Sequence, residues 1–115
     1  MKIIVIGPLE WKDHKKVASV LSKLTKPGDE ILVKGYTPGI AQLARDWATS
    51  GERKNWRTVK IYYESDLEVI GEDKSIKNSR EDLMLREADR MICFGEPGRM
   101  VSRARKINLK VKVIS

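Results

Sequence analysis

The sequence predicts an α/β fold: a single Rossmann-like, doubly wound parallel sheet of about five strands with helices on both faces. Three observations predict it. Short runs rich in Ile and Val alternate with stretches of helical periodicity, in the order β-α-β-α-β-loop-α-β-α-β. Three of those runs end in small-residue turns that lead into helices: Gly7-Pro8, Gly35 to Gly39, and Gly95 to Gly98. A chain of 115 residues, 41% hydrophobic and 34% charged, also has the size and composition of one globular domain over residues 1–115.

Lys2 to Ile6 is the first strand, and the helix after it turns Val17, Val20 or Leu21, and Leu24 inward. Lys26-Pro27-Gly28-Asp29 is turn chemistry. Glu30 to Lys34 is the second strand, with Ile31 to Val33 as its buried run. The Gly35 to Gly39 turn then delivers the chain into a helix. Thr37 is placed to cap it, and Pro38 suits the first helical position, where its missing N–H is not needed. Ile40, Leu43, Ala44 and Trp47 recur at i, i+3, i+4, i+7 and form the buried face, while Gly51 is a natural C-cap. A basic connector carrying Trp56 leads to a third strand, Thr58 to Tyr62. Residues 63–78 are polar and aperiodic and read as a long loop, a kind that is often functional. Ser79-Arg80-Glu81-Asp82 resembles a capping box with Asp in place of Glu or Gln, and opens a helix running to about Ala88. Met91 to Phe94 is the fourth strand. Met100 or Val101, Ala104 and Ile107 mark the inner face of the last helix, and Lys110 to Ile114 is the fifth strand.

The formal net charge is +7, which favours anionic partners: nucleotides, nucleic acid or a phosphorylated metabolite. No acidic residue follows Glu96, whereas Arg99, Arg103, Arg105, Lys106, Lys110 and Lys112 do. No apolar run approaches the ~20 residues needed to cross a bilayer. The Met1 to Val5 run lacks a signal peptide's longer apolar core, so the expected location is the cytoplasm, with no membrane partner. Cys93, the single cysteine, sits in an apolar run and reads as a buried, inert thiol. His14 is the lone histidine, and neither a metal site nor a cofactor is expected.

Doubly wound sheets bind ligands beyond the carboxyl ends of their strands. The turns expected to meet there are Gly7-Pro8, Gly35 to Gly39, Tyr63 to Asp66, the start of the Ser79 helix, and Gly95 to Gly98. A glycine turn entering a helix is an anion site, because free amides and the helix dipole face outward. The candidate ligand-binding residues are therefore Gly7, Pro8, Trp11, Gly35, Tyr36, Thr37, Pro38, Gly39, Arg80, Gly95, Gly98 and Arg99. Tyr36 and Trp11 are the aromatic candidates for stacking on a base. Trp56, in its basic connector, is a candidate contact to single-stranded nucleic acid.

Several residues resemble the YspA-related branch of the SLOG superfamily, which also includes the LOG phosphoribohydrolases and DprA-type DNA-binding proteins. Gly35, Gly39, Leu43, Ala44, Trp47 and Ala48 match its glycine turn and Leu-Ala-x-x-Trp-Ala helix. Asp66 and Gly71 resemble its Asp-Trp-x-x-x-Gly segment, with Leu67 for the tryptophan. The family's Arg-Asn pair falls on Asn78-Ser79 by spacing from Gly71, or on Arg80-Glu81 by spacing to Met84 and Ala88. Arg80 keeps an arginine at the helix start. The chain departs from the pattern at Ala41, where an acidic residue is usual, and in its shortened Gly95-Glu96-Pro97-Gly98 loop. The resemblance implies a nucleotide or nucleotide-derived ligand, and self-association, which this fold often shows. It also implies two alternatives. One is hydrolysis of the N-glycosidic bond of a nucleoside monophosphate, with Glu81, Asp66 or Glu64 as candidate catalytic carboxylates. The other is nucleic-acid binding, as in the DprA branch, through the basic surface.

Overall fold

The computed structural model describes residues 1–35, 37–49, 57–63 and 79–115. Strands β1 (Lys2–Ile6), β2 (Glu30–Lys34), β3 (Thr58–Tyr62), β4 (Arg90–Phe94) and β5 (Lys110–Ile114) alternate with helices α1 (His14–Leu24), α2 (Ile40–Thr49), α3 (Ser79–Glu87) and α4 (Arg99–Lys106). All strand pairs are parallel and the sheet order is β3-β2-β1-β4-β5. This is the doubly wound α/β arrangement expected. Tyr36, Gly51, Trp56, Glu64, Asp66, Leu67, Gly71 and Asn78, with the loop assigned from residue 64 onward, lie outside the described residues.

Side-chain parity along the strands builds two cores. Ile3, Val5, Ile31, Val33, Ile92 and Phe94 point to one face and are covered by Val17 and Leu21 of α1 and by Ile40, Ala41, Ala44 and Ala48 of α2. Ile4, Leu32, Tyr62, Met91 and Cys93 point to the other, under Met84 and Leu85 of α3 and Met100, Val101 and Ala104 of α4. The three central strands are buried on both faces, so they read as continuous apolar runs without polar alternation.

Polar ties close the edges. Arg57 donates from Nε to the Thr25 hydroxyl (3.0 Å) and from its guanidinium to the Thr25 carbonyl (2.8 Å), satisfying the C-terminus of α1. Its guanidinium also lies 5.0 Å from the centre of the Trp47 ring. On edge strand β3, the Tyr62 hydroxyl (2.5 Å) and Lys60 Nζ (2.7 Å) both donate to one oxygen of Glu87 and so fasten α3. Burial, then that hydrogen bond and the Glu87 charge, push the Tyr62 hydroxyl's pKa well up, so it remains a donor.

Three expectations need correction. Helix α2 begins at Ile40, so Pro38 precedes it, and Thr37 does not cap it; the Thr37 hydroxyl donates backward to the Gly35 carbonyl (3.3 Å). The buried stripe of α2 is centred on Ala41, Ala44 and Ala48 with Ile40, while Leu43 and Trp47 pack from the flank. Ile107 is 55% exposed, because α4 ends at Lys106 and Asn108 turns left-handed (φ 61°), which rotates Ile107 off the helical face.

Among the described glycines, Gly39 is the most constrained. Its φ is 74°, and a Cβ there would stand 2.3 Å from the Pro8 carbonyl oxygen. Gly28 has φ 96° but open space around it. Gly39→Ala is expected to cost about 3 kcal/mol and Gly28→Ala about 1 kcal/mol, as conformational strain with and without a backbone clash. Urea unfolding of the two variants checks this, and equal losses would sink the packing argument.

Candidate functional site

The chain winds outward from β1 through β2 to β3, and α3 then carries it back to β4 on the other side of β1. The winding reverses between β1 and β4. Their carboxyl ends diverge there and leave a crevice, the usual ligand position of such sheets. A cleft of roughly 580 Å³ occupies that place. Ile6, Gly7 and Pro8 line it from β1, Cys93, Phe94 and Glu96 from β4, and Gly98, Arg99 and Met100 from the start of α4; Lys34 and Glu81 complete it.

Its polar centre is the Glu81 carboxylate. Glu81 lies in the first turn of α3, is 7% exposed, and accepts from three cations. Lys34 Nζ, at the end of β2, and an Arg99 guanidinium nitrogen each lie 2.8 Å from Oε1, and Arg103 lies 3.2 Å from Oε2. Arg103 also pairs with Asp82. Burial by itself would raise the Glu81 pKa. The hydrogen bonds from Lys34 and Arg99, with their charges, outweigh it and hold the carboxyl below its ordinary range. Glu81 is thus an anion at neutral pH, and among the described residues three cations face two carboxylates. Arg99 is the loosest member, with its side chain 64% exposed, against 22% for Lys34 and 25% for Arg103.

The cleft also meets the N-terminus of α4. The N-cap residue is Gly98, which provides no side-chain cap, and a Cβ at Gly98 would touch nothing within 4 Å. Neither packing nor a positive φ requires a glycine at that position.

The Gly35 to Gly39 turn is less available than the sequence suggests. The Gly35 amide donates to the Tyr62 carbonyl (2.9 Å) and the Ile40 amide to the Pro8 carbonyl (3.3 Å). The space beside Gly35 is filled by the Tyr63 ring and Ile61, and that beside Gly39 by the Pro8–Leu9 backbone. Thr37 lines a smaller neighbouring recess of about 120 Å³ with Lys34, Gly7 and Ala41, and Pro38 is exposed.

Among the other expected residues, Gly7, Pro8, Gly98, Arg99 and Glu81 are brought together in the cleft. Gly95 packs against the Pro8 ring and donates its amide to the Ile114 carbonyl (2.7 Å). Arg80 is half-buried and does not line the cleft. Trp11 packs edge-on against Phe94 with centroids 5.6 Å apart and donates Nε1 to the Asp13 carbonyl, so it serves the core. Lys34 and Arg103 were not singled out from sequence. Lys34 carried a signal, since it is a charged residue at the carboxyl end of a buried parallel strand, where ligands bind. Arg103 lies one helical turn after Arg99 and so shares its face.

Cys93 is buried, as expected, and burial raises its thiol pKa against a smaller opposing effect of Arg105. Among the described residues, no three His, Cys, Asp or Glu side chains gather to hold a metal, and no helix is long and apolar enough to cross a membrane. Compared with known protein families and with curated proteins, the chain matches no family model and no curated sequence.

Because folding lowers the Glu81 pKa from its ordinary 4.5, its ion pairs stabilise the protein fully above that pH. That contribution is lost as the pH falls through the lowered value. Glu81→Gln is expected to cost about 2 kcal/mol at pH 7, since it removes the charge that pairs with Lys34 and Arg99 and leaves Arg103 with Asp82 alone. The deficit should shrink as the pH falls from 4.5 through the lowered value and the wild-type carboxyl protonates. Urea midpoints across that range test it, and a deficit independent of pH would refute it.

Proposed function

We propose that this chain binds a nucleotide or nucleotide-derived ligand in the crossover cleft. Its phosphate would lie at the N-terminus of α4 between Lys34 and Arg99. The observation that carries this reading is the coincidence of three features at one point. These are the switch point between β1 and β4, a helix N-terminus with no side-chain cap, and two cations gathered on a single carboxylate oxygen. The amides at the start of α4 and the helix dipole favour an anion. Lys34 and Arg99 supply charge and, from Arg99, paired donors suited to phosphate oxygens. Ile6, Pro8, Phe94 and Met100 offer apolar surface to a ring, and about 580 Å³ is within the usual size of a small-molecule site. The resemblance to the YspA-related branch of the SLOG superfamily supports the same ligand class, and membership of that branch is part of the proposal.

Binding through α4 replaces the Gly35 to Gly39 cradle as the main phosphate contact. N-glycosidic hydrolysis is the second reading, and one observation favours it: Glu81, a candidate catalytic carboxylate, lines the cleft and is ionised. An ionised carboxylate accepts a ribose hydroxyl or stabilises a developing ribosyl cation; it does not donate the proton a departing base needs.

A thermal-shift panel of nucleoside monophosphates and diphosphates, cyclic nucleotides and ADP-ribose at millimolar concentration tests the proposal. At a hundredfold excess over Kd, a ligand adds about 2.7 kcal/mol of stability, enough to raise Tm by several degrees. Arg99→Ala is expected to weaken binding about tenfold with little loss of stability, given its exposure. Gly98→Ala should fold normally yet weaken binding, by placing a methyl group over the helix N-terminus. No shift with any ligand, in protein that is folded, would overturn the proposal. Release of free base from a nucleoside monophosphate, lost in Glu81→Gln, would establish the hydrolytic reading in its place.

A further inference from the structure

The α1/α2 face of the sheet is covered unevenly. Helix α2 lies over β1, β2 and β3, and α1 packs beside α2 and adds Val17 and Leu21 to the core that holds Ile3, Val5, Ile92 and Phe94. Beyond α1, the same face of β5 carries Lys110 and Lys112, both exposed, while Val111 and Val113 turn to the α3/α4 core. Arg90 pairs in register with Lys110 on that face. Arg90, Lys110 and Lys112 line a concavity of roughly 410 Å³. Two strand positions separate Lys110 from Lys112, about 7 Å.

Helix α1 adds positive charge on the β5 side of the sheet. Its His14 and Ala18 flank faces Leu43, Asp46 and Trp47 of α2. The opposite flank, spaced i, i+4, i+7, carries Lys16, Val20 and Lys23. Lys16 Nζ donates to the carbonyl oxygen of Ser115, just past β5, so that flank is the one on the β5 side of the sheet. Among the described residues, Lys23, Arg90, Lys110 and Lys112 form no ion pair. Two acids that neighbour these cations in sequence bond to backbone amides. Asp89 accepts from the Lys2 amide (2.7 Å), and Asp13 from the Lys16 amide (3.1 Å). Strand β5 is also a sheet edge, so its outward amides are free to donate.

We propose that the shelf formed by β5, Arg90 and the Lys16–Lys23 flank of α1 binds the phosphate backbone of a nucleic acid. This site is separate from the crossover cleft, which opens at the carboxyl ends of β1 and β4. Cations repeated along a strand, with edge amides beside them, match a chain of regularly spaced phosphates. Among the described residues that line the concavity none is aromatic, and its cations suit phosphates, which carry no sequence information, so its recognition is largely independent of sequence. A membrane surface is the poorer partner, because the exposed large apolar residues among those described are Met1, Leu9 and Ile107, none of which lines the shelf.

Fluorescence anisotropy with labelled single-stranded DNA, single-stranded RNA and duplex DNA at about 50 mM salt tests this. Binding is expected to weaken with salt, with a log–log slope of about −2 to −3.5 for three to five phosphates on a single strand. K110E/K112E should weaken it at least about tenfold. K12E/K15E, with the same change in net charge at exposed positions off the shelf, should stay within about threefold. Arg99→Ala, in the cleft, should leave nucleic-acid binding unchanged, so this site and the nucleotide site fail or succeed separately. Circular dichroism verifies that each variant is folded. No binding to any of the three probes, equal losses in the two charge-reversal pairs, or binding to anionic vesicles without binding to nucleic acid would each overturn the proposal.

Discussion

Pro8 holds the carboxyl edge of the sheet together. Its carbonyl accepts the first amide of α2, its backbone fills the space beside Gly39, and its ring lies against Gly95. One residue after β1 thus packs the loops that follow β2 and β4. The positive φ of Gly39 is the conformational cost of that closeness, and the small size of Gly7, against Ile40 and Phe94, serves the same packing. The consequence is electrostatic. The positive end of α2 is answered from within the protein by a backbone oxygen, whereas the start of α4 faces the cleft with no side-chain cap.

Glu81 is the second organising element. It brings together a strand end and two positions of α4 that are far apart in sequence, and it keeps their charges from repelling one another in the absence of an anion. A buried carboxylate in this position is stable only while its partners stay, and the partners stay ordered only while it is ionised. The arrangement therefore trades some stability for donors already oriented toward the cleft. Arg99, the most exposed partner, is the one with least to lose by turning to a ligand.

Much of this architecture was legible in the chain. Ile31 to Val33 and Met91 to Phe94 are continuous apolar runs because both of their faces are buried, and that pattern, alternating with helices, already implies a parallel doubly wound sheet. The gathering of Gly7, Pro8, Glu81, Gly98 and Arg99 was legible too, because it follows from where strands end. The fate of individual amides was not. Whether the N-terminus of α2 is free depends on a carbonyl some thirty residues earlier in the chain, and no local pattern near Thr37 reports it. The assignment of Thr37 as a cap failed for that reason: Pro8 does part of the cap's work, and the helix starts later. Ile107 misled differently. It continues the helical spacing of Met100 and Ala104, but the left-handed Asn108 ends the helix before the spacing can bury it. Lys34 has the local pattern of an ordinary strand residue, because its partner Glu81 lies on α3, 47 residues away.

Cys93 gives the protein an internal reporter. It is the chain's single thiol, it sits under α4 on the wall of the cleft, and burial keeps it protonated and shielded. Alkylating reagents react with exposed thiolate, so modification of Cys93 must wait for an opening of this layer that exposes the sulfur to the cleft. The rate of that modification measures how often the layer opens, without any engineered label. A ligand seated between Gly98 and Phe94 would slow it.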